Sequence, residues 1–233
     1  KELNSQYVGK GEPEAIQAYL DTKNISSSLS LGYAMSYYYI NRFFQLSKYR
    51  LGLPNGIGGT GFIVKLDYLM KHGGFRFHSL TEDLELEMEI VKDNGRVLYN
   101  YFSRVYDEKP DNFKISIKQR TRWSQGHWYV AFTNFKPMME KLLTEKGKWK
   151  VADQLVYLFG MARAIQLTII LIGIIGTTIF GLATQNFALL SDEAELILYF
   201  IFNGSILSLI MFVYQFLICM TYAVKVDTNH KLR

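Results

Sequence analysis

Two long apolar runs fill the last third of the chain and limit what it can fold into. Residues 164–184 carry no formal charge, and about 20 apolar residues suffice to cross a bilayer as a helix. Residues 196–224 form a longer run, in which Asn203, Ser205, Ser208 and Gln215 can line a path or bond to a neighbouring helix. The connector, residues 185–195, holds Asp192, Glu193 and Glu195 and no Lys or Arg, whereas both outer flanks carry lysines. The positive-inside rule then places the connector outside. Residues 1–162 and the C-terminus are expected on the cytoplasmic side of a cell (plasma) membrane that the chain crosses twice.

Just before the first run, residues 137–162 interleave Met138, Met139, Leu142 and Leu143 with Lys141, Lys146, Lys148 and Lys150. Such a mixture suits an amphipathic helix lying on the lipid bilayer surface. Hydrophobic residues make up 49% of the 233 and aromatics 15%, high for a purely soluble domain, with the excess in the last third. The net charge of +5 raises the question of nucleic acid. No zinc-finger, homeodomain or RNA-recognition pattern supports it, so nucleic acid is not an expected partner. Cys219, the single cysteine, lies in the second run, which leaves no internal disulfide and no Cys/His metal spacing. His72, His78, His127 and His230 are scattered and read as structural or solvated.

The most concentrated chemistry sits in residues 118–128. On a helix, Gln119, Arg122 and Trp123 stand at i, i+3 and i+4 and share one face, with Gly126 leaving a gap beside them. A guanidinium forks onto phosphate oxygens and an indole offers a platform for a sugar ring or a base. The same spacing also fits an amphipathic helix whose Trp is core and whose Arg is solvated.

Other segments read as follows. Residues 1–24 are polar and hold no strong pattern. Tyr33, Tyr37, Ile40 and Phe44 recur at helical spacing and read as a core stripe. Residues 53–61 form a glycine-rich loop that satisfies G-x-G-x-x-G through Gly56, Gly58 and Gly61. It is not a dinucleotide fingerprint, because a strand (residues 62–65) follows it and none closely precedes it. A plain tight turn and a loop built for close substrate approach both remain. Residues 82–90 alternate acid and apolar, but Leu, Glu and Met are helix formers. Ser79-x-x-Glu82 matches a capping box and Asp93-Asn94-Gly95 a stop, so a helix is expected over residues 82–92. Residues 96–101 and 103–106 read as extended, and a helix is expected over residues 113–133.

Thr81-Glu82-Asp83 followed by Gln119-x-x-Arg122-Trp123 resembles the motif pair of membrane-embedded family 2 glycosyltransferases, which include cellulose, hyaluronan and poly-N-acetylglucosamine synthases. The resemblance covers residues 30–224. It implies an α/β fold: the C-terminal half of a GT-A-type nucleotide-sugar transferase domain (residues 1–136), an interfacial segment (137–162) and two transmembrane helices (163–224). It also implies inverting transfer from a nucleotide-sugar, a UDP-sugar by analogy, to a growing glycan. Asp83 would be the general base, with Glu82 in support. Gln119 and Arg122 would contact the diphosphate and Trp123 would border the acceptor sugar. Gly59 and Thr60 of the glycine-rich loop would line the acceptor side. From the residues alone, Asp83 reads first as a helix cap whose ionised form the macrodipole favours.

Family members hold a divalent cation, Mg2+ or Mn2+, through acids that include an Asp-x-Asp, and this sequence has none. The donor and metal ligands are therefore expected outside the chain. The chain begins without Met and ends directly after an apolar run, so it reads as a piece of a longer synthase, inactive alone. Accessory export or regulatory subunits are possible partners of such a synthase. A non-processive enzyme glycosylating a lipid, and a non-catalytic membrane-anchored binding protein of the same fold, are the competing readings. The topology is testable. Ser191→Cys should react with a membrane-impermeant thiol reagent outside intact cells while Lys148→Cys stays protected; the reverse labelling would place the motifs outside.

Overall fold

The computed structural model describes residues 2–144 and 148–160, together with Val213, Tyr214, Leu217, Thr221 and Lys225. Apart from those five positions, both apolar runs and their connector lie outside the described residues. Among the described residues, no helix is long and apolar enough to cross a membrane. The chain divides into two units, Lys1–Leu158 with Met220–Arg233, and Phe159–Cys219. The sheet and its helices belong to the first.

The centre of the sheet comes from the stretch in which the sequence shows no pattern. After a short helix α1 (Glu2–Gly9), strand β1 (Ala15–Thr22) is buried along its whole length. It pairs antiparallel with β2 (Phe62–Val64) and parallel with β3 (Val97–Asp107). Its polar residues hide it from a hydropathy reading, yet each finds a partner inside. Gln17 donates to Ala18 O at 2.9 Å and Thr60 O at 3.0 Å, and its Oε1 accepts Gly58 N–H at 2.9 Å. Buried amides satisfied in this way cost little and fix register.

Strand β3 joins the two extended pieces expected separately. Its register on β1 jumps from Ala18↔Asn100 to Tyr19↔Arg104. The Asn100 side chain takes up main-chain donors of the inserted residues, accepting Phe102 N–H at 2.9 Å and Ser103 N–H at 2.8 Å. The mixed α/β arrangement fits a GT-A-type domain.

Helix α2 (Ser28–Tyr39) starts at a capping box formed by Ser27 and Ser30. It continues through a π segment (Ile40–Gln45) into α3 (Leu46–Leu51). The wider π turn rotates the buried face. Tyr33, Tyr38, Asn41, Gln45 and Lys48 point inward, whereas Ile40 is exposed and Tyr37 and Phe44 are only half-buried. Of the expected stripe, only Tyr33 is fully core. Asn41 explains the rotation, because its amide brackets Leu20: Nδ2 donates to Leu20 O at 2.7 Å and Oδ1 accepts Leu20 N–H at 3.3 Å.

After a short helix α4 (Leu66–Lys71), helix α5 (Glu82–Lys92) ends as its sequence indicates. Asn94 adopts φ 61° and Gly95 N–H returns to Ile90 O at 2.8 Å. Its start differs from the Ser79–Glu82 box. Thr81 is the N-cap without a side-chain cap bond, and the Glu85 carboxylate instead accepts His78 and Ser79 N–H at 3.1 and 2.9 Å.

Helix α6 (Phe113–Thr144) runs beyond residue 133 and through Pro137. The lost Pro137 N–H is outweighed by buried Met138 and by Lys141, whose ammonium donates to Lys92 O. Residues 137–144 thus continue α6, and α7 (Lys148–Leu158) follows. Helix α7 buries Val151, Gln154, Leu155 and Leu158 and leaves Trp149 and Val156 exposed.

The gap at Gly126 is filled from within. A Cβ there would lie 2.7 Å from Thr81 Oγ1 and 2.8 Å from both Thr81 Cγ2 and Thr81 N, so α6 rests on Thr81, side chain and main chain, where α5 opens. Gly126→Ala should therefore force the helix away and cost about 1–3 kcal/mol, as overpacking does. A clear fall in melting temperature, beside little change for Gln125→Ala at an exposed neighbour, is the expected result.

Candidate active site

Asp83 lies on the first turn of α5, half-buried, and its two carboxylate oxygens have different surroundings. Oδ1 accepts Leu84 N–H at 2.8 Å. Oδ2 faces the glycine-rich loop, where a Cβ built on Gly59 would lie 3.1 Å away. Gly59 adopts φ +70°, so both space and backbone require glycine there. One oxygen is thus held by the first turn of α5, and the other faces the loop. Burial raises the acid above its usual range, and the neighbouring Glu82 adds to this, while Leu84 N–H and the Arg122 guanidinium oppose. Desolvation thus works against the helix dipole, which favours the ionised form of Asp83.

The loop that brings Gly59 here is tied down by side chains from three elements. Gln45 donates to Gly56 O at 2.8 Å and accepts Gly56 N–H at 3.1 Å. Gln17 holds Gly58 N–H, and Glu87 of α5 accepts Ile57 N–H at 3.0 Å. Gly61, at φ +64°, packs against Val105, and Thr60 is half-buried between these ties.

The Gly126–Thr81 contact sets α6 beside this carboxylate. Arg122 is exposed and makes no hydrogen bond among the described residues, and its field reaches Asp83. Gln119 is half-buried, with its Oε1 lacking a hydrogen-bond partner among them. Trp123 is half-buried and Glu82 exposed. The neighbouring His127 and Trp128 have packing roles. The imidazole bonds Leu158 O at 2.7 Å through Nε2 and burial lowers its basicity, while the indole stacks on Phe132 at 5.5 Å.

Further charged groups, absent from the sequence reading, gather where the parallel strands β1 and β3 end. Arg104 pairs with buried Asp21 at 2.9 Å over the Tyr19 ring, and Lys109 pairs with Asp107 at 2.9 Å over the Tyr37 ring. Arg120 donates to the Tyr33 hydroxyl at 3.0 Å. Burial, then Asp107, pushes the Tyr37 phenol up to about 12, and the fields of Arg120 and Asp83 also reach it. Tyr33 and Tyr37 thus stand between the α6 face and the strand ends. Ligands of open α/β sheets bind outside the carboxyl ends of the strands. Among the described residues, no group of three His, Cys, Asp or Glu is placed to hold a metal ion.

The arrangement offers a poised carboxylate beside an open backbone, with a guanidinium, an amide and an indole on the facing helix. A probable glycosyltransferase, YdaM, of Bacillus subtilis (strain 168) is 29% identical over 75 residues, which is 32% of this chain and 18% of that protein. Probable glucomannan 4-beta-mannosyltransferase 2 of Oryza sativa subsp. japonica is 28% identical over 112 residues, 47% of this chain and 19% of the relative. Glucomannan 4-beta-mannosyltransferase 9 of Arabidopsis thaliana is 28% identical over 110 residues, 46% of this chain and 20% of the relative. The match thus spans about a fifth of each relative's length. The family model for glycosyl transferase family group 2 extends over residues 34–224, taking in both motifs and most of the chain. The chain belongs to that family.

Proposed function

We propose that the whole protein transfers a sugar from a nucleotide-sugar to a growing glycan with inversion at the anomeric carbon, and that Asp83 is the general base. The observation that carries this reading is the placement of Asp83 Oδ2 against the Gly59 backbone while Oδ1 is held by Leu84 N–H. Oδ2 takes the proton of the acceptor hydroxyl as that oxygen attacks the anomeric carbon and the nucleoside diphosphate departs. Burial raises the basicity of Asp83 and so suits it to that step. Arg122 keeps its donors for the departing diphosphate, Gln119 offers its amide beside it, and Trp123 gives the acceptor sugar an apolar surface.

The names of two plant relatives, glucomannan 4-beta-mannosyltransferases, support a polysaccharide rather than a lipid acceptor. By the resemblance the donor is a UDP-sugar. We further propose the membrane arrangement with residues 1–162 cytoplasmic and runs 164–184 and 196–224 crossing the bilayer, on the charge asymmetry of the sequence. A divalent cation belongs to this proposal only through residues outside the chain, and no step above uses one.

The base assignment is tested in full-length protein in membranes. In Asp83→Asn the amide oxygen can still accept Leu84 N–H, so folding and nucleotide binding should be nearly normal. Transfer should fall at least about a hundredfold, because a positioned base typically contributes about 10²–10⁴ in rate. In the wild type, activity should fall as pH drops through the Asp83 value. Burial places that acid limb above the ordinary aspartate value of 3.8. Normal transfer by Asp83→Asn would leave the residue a helix cap only.

A second substitution asks whether Arg122 acts through its fork or only its charge. Arg122→Lys keeps the charge but loses two-pronged contact with phosphate, and should weaken nucleotide binding and transfer by about tenfold or more. Near-normal nucleotide affinity would return Arg122 to a solvated helix face.

A further inference from the structure

One turn along α5 from Asp83 lies a second acid that the proposed reaction does not use. Glu87 is completely buried, and its Oε2 accepts Ile57 N–H at 3.0 Å, gripping the middle of the glycine-rich loop. Gln154 of α7 interacts with the same carboxyl and also donates to Pro54 O at 3.3 Å, at the start of that loop. Glu87 Oε1 has no partner of hydrogen-bond geometry among the described residues.

Lys48 of α3 faces this acid, but its ammonium is engaged by Asp153 of α7 at 2.7 Å and lies 4.7 Å from the Phe44 ring centre. Tyr157 of α7 and Asp83 complete the titratable surroundings, with the His127 ring of α6 edge-on to Tyr157 at 5.8 Å. An ionised carboxylate in this place would be buried without a cation of its own, which is strongly unfavourable. Burial accordingly pushes the acid up to about 8, with Lys48 and Ile57 N–H pulling the other way.

Gln17, Gln45 and Glu87 hold the loop through Gly58, Gly56 and Ile57, and of the three only Glu87 titrates. Ile57 stands two residues before Gly59, whose backbone borders Asp83. We propose that Glu87 is a positioning residue that sets the Gly59 backbone against the Asp83 carboxylate and links that contact to α7. The inference rests on the reading of Asp83 as the base. Ionisation of Glu87 would strengthen the Ile57 N–H bond itself but leave a buried charge without a cation of its own. That cost is relieved only by opening the packing around the loop to water, without any group touching substrate.

The test uses full-length protein in membranes, with the donor among UDP-glucose, UDP-N-acetylglucosamine and GDP-mannose that gives the fastest incorporation. Glu87→Gln keeps an acceptor for Ile57 and cannot ionise, whereas Glu87→Leu fills the volume and removes the acceptor. The Gln variant should stay within about twofold of wild-type kcat near neutral pH. It should hold that rate above about pH 8, where the wild type declines. The Leu variant should lose at least about tenfold in kcat with donor KM changed less than about threefold, as misplacement near a reacting group does.

A second readout does not depend on the base. With a folded-state value near 8 against 4.5, the Glu87 contribution to stability is full below about 4.5 and is lost as pH rises through about 8. Glu87→Gln should flatten that fall in the melting temperature of the purified full-length protein. A Gln variant as impaired as the Leu variant, or a melting profile that Gln leaves unchanged, overturns the proposal. An active Asp83→Asn beside a flattened Gln profile overturns the base reading and keeps the Glu87 grip. If the Leu variant does not fold, the pH profile and melting of the Gln variant decide.

Discussion

Helix α6 can rest on the main chain of Thr81 because Gly126 has no side chain to hold it off. That contact fixes the rotation of α6, and with it the positions of Gln119, Arg122 and Trp123 relative to the start of α5. It also explains why Thr81 does not cap α5 with its hydroxyl, since Oγ1 is enclosed against the glycine. The two motifs, separated by β3 in the chain, are therefore brought side by side by the approach of the α6 backbone to Thr81. A side chain at Gly126 would place the guanidinium farther from Asp83.

The glycine-rich loop is ordered by a different means. It lacks the apolar residues to anchor itself, and Ile57 is its one buried hydrophobe flanked by buried Asn55 and Gly56. Amides from β1 and the π segment, with one acid from α5, supply the order through main-chain hydrogen bonds. Such bonds are directional and each adds about 0.5–1.5 kcal/mol net, so they specify position more than they stabilise the fold. A loop held this way can present bare backbone at Gly58 and Gly59, both exposed, without collapsing onto Asp83.

Helices were more legible in the sequence than the centre of the sheet. Helix α5 was legible despite its alternating pattern, because residue type and the Asp93–Gly95 stop outweighed periodicity. Asp83 and the α6 face stood out through the motif pair and Gly59 through the family resemblance, and the fold brings the Gly59 backbone against Asp83. Strand β1 was not, since Gln17, Asp21 and Thr22 are buried by specific partners that no hydropathy scale reports. The rotated stripe in α2 was hidden for a similar reason: a π turn leaves no periodic mark, and Asn41 reads as a surface residue until Leu20 is beside it. Pro137 misplaced the end of α6 because the anchor beyond it, Lys141 on Lys92 O, is a tertiary contact. Glu87 escaped notice as one acid among several on α5, distinguished only by its burial.

The pairing of β1 bears on how the protein is made. Its parallel neighbour runs from Val97 to Asp107, so Ala15 waits for Val97 and Thr22 for Asp107 before the ladder can close. During synthesis the central strand leaves the ribosome before β2 and β3, with both its ladders open and with Gln17 and Tyr19 without the partners they have in the fold. Contacts this distant in sequence close late and slowly. The nascent domain therefore passes through a stage in which β1 is a ready partner for any stray strand, a stage that ends only when β3 emerges.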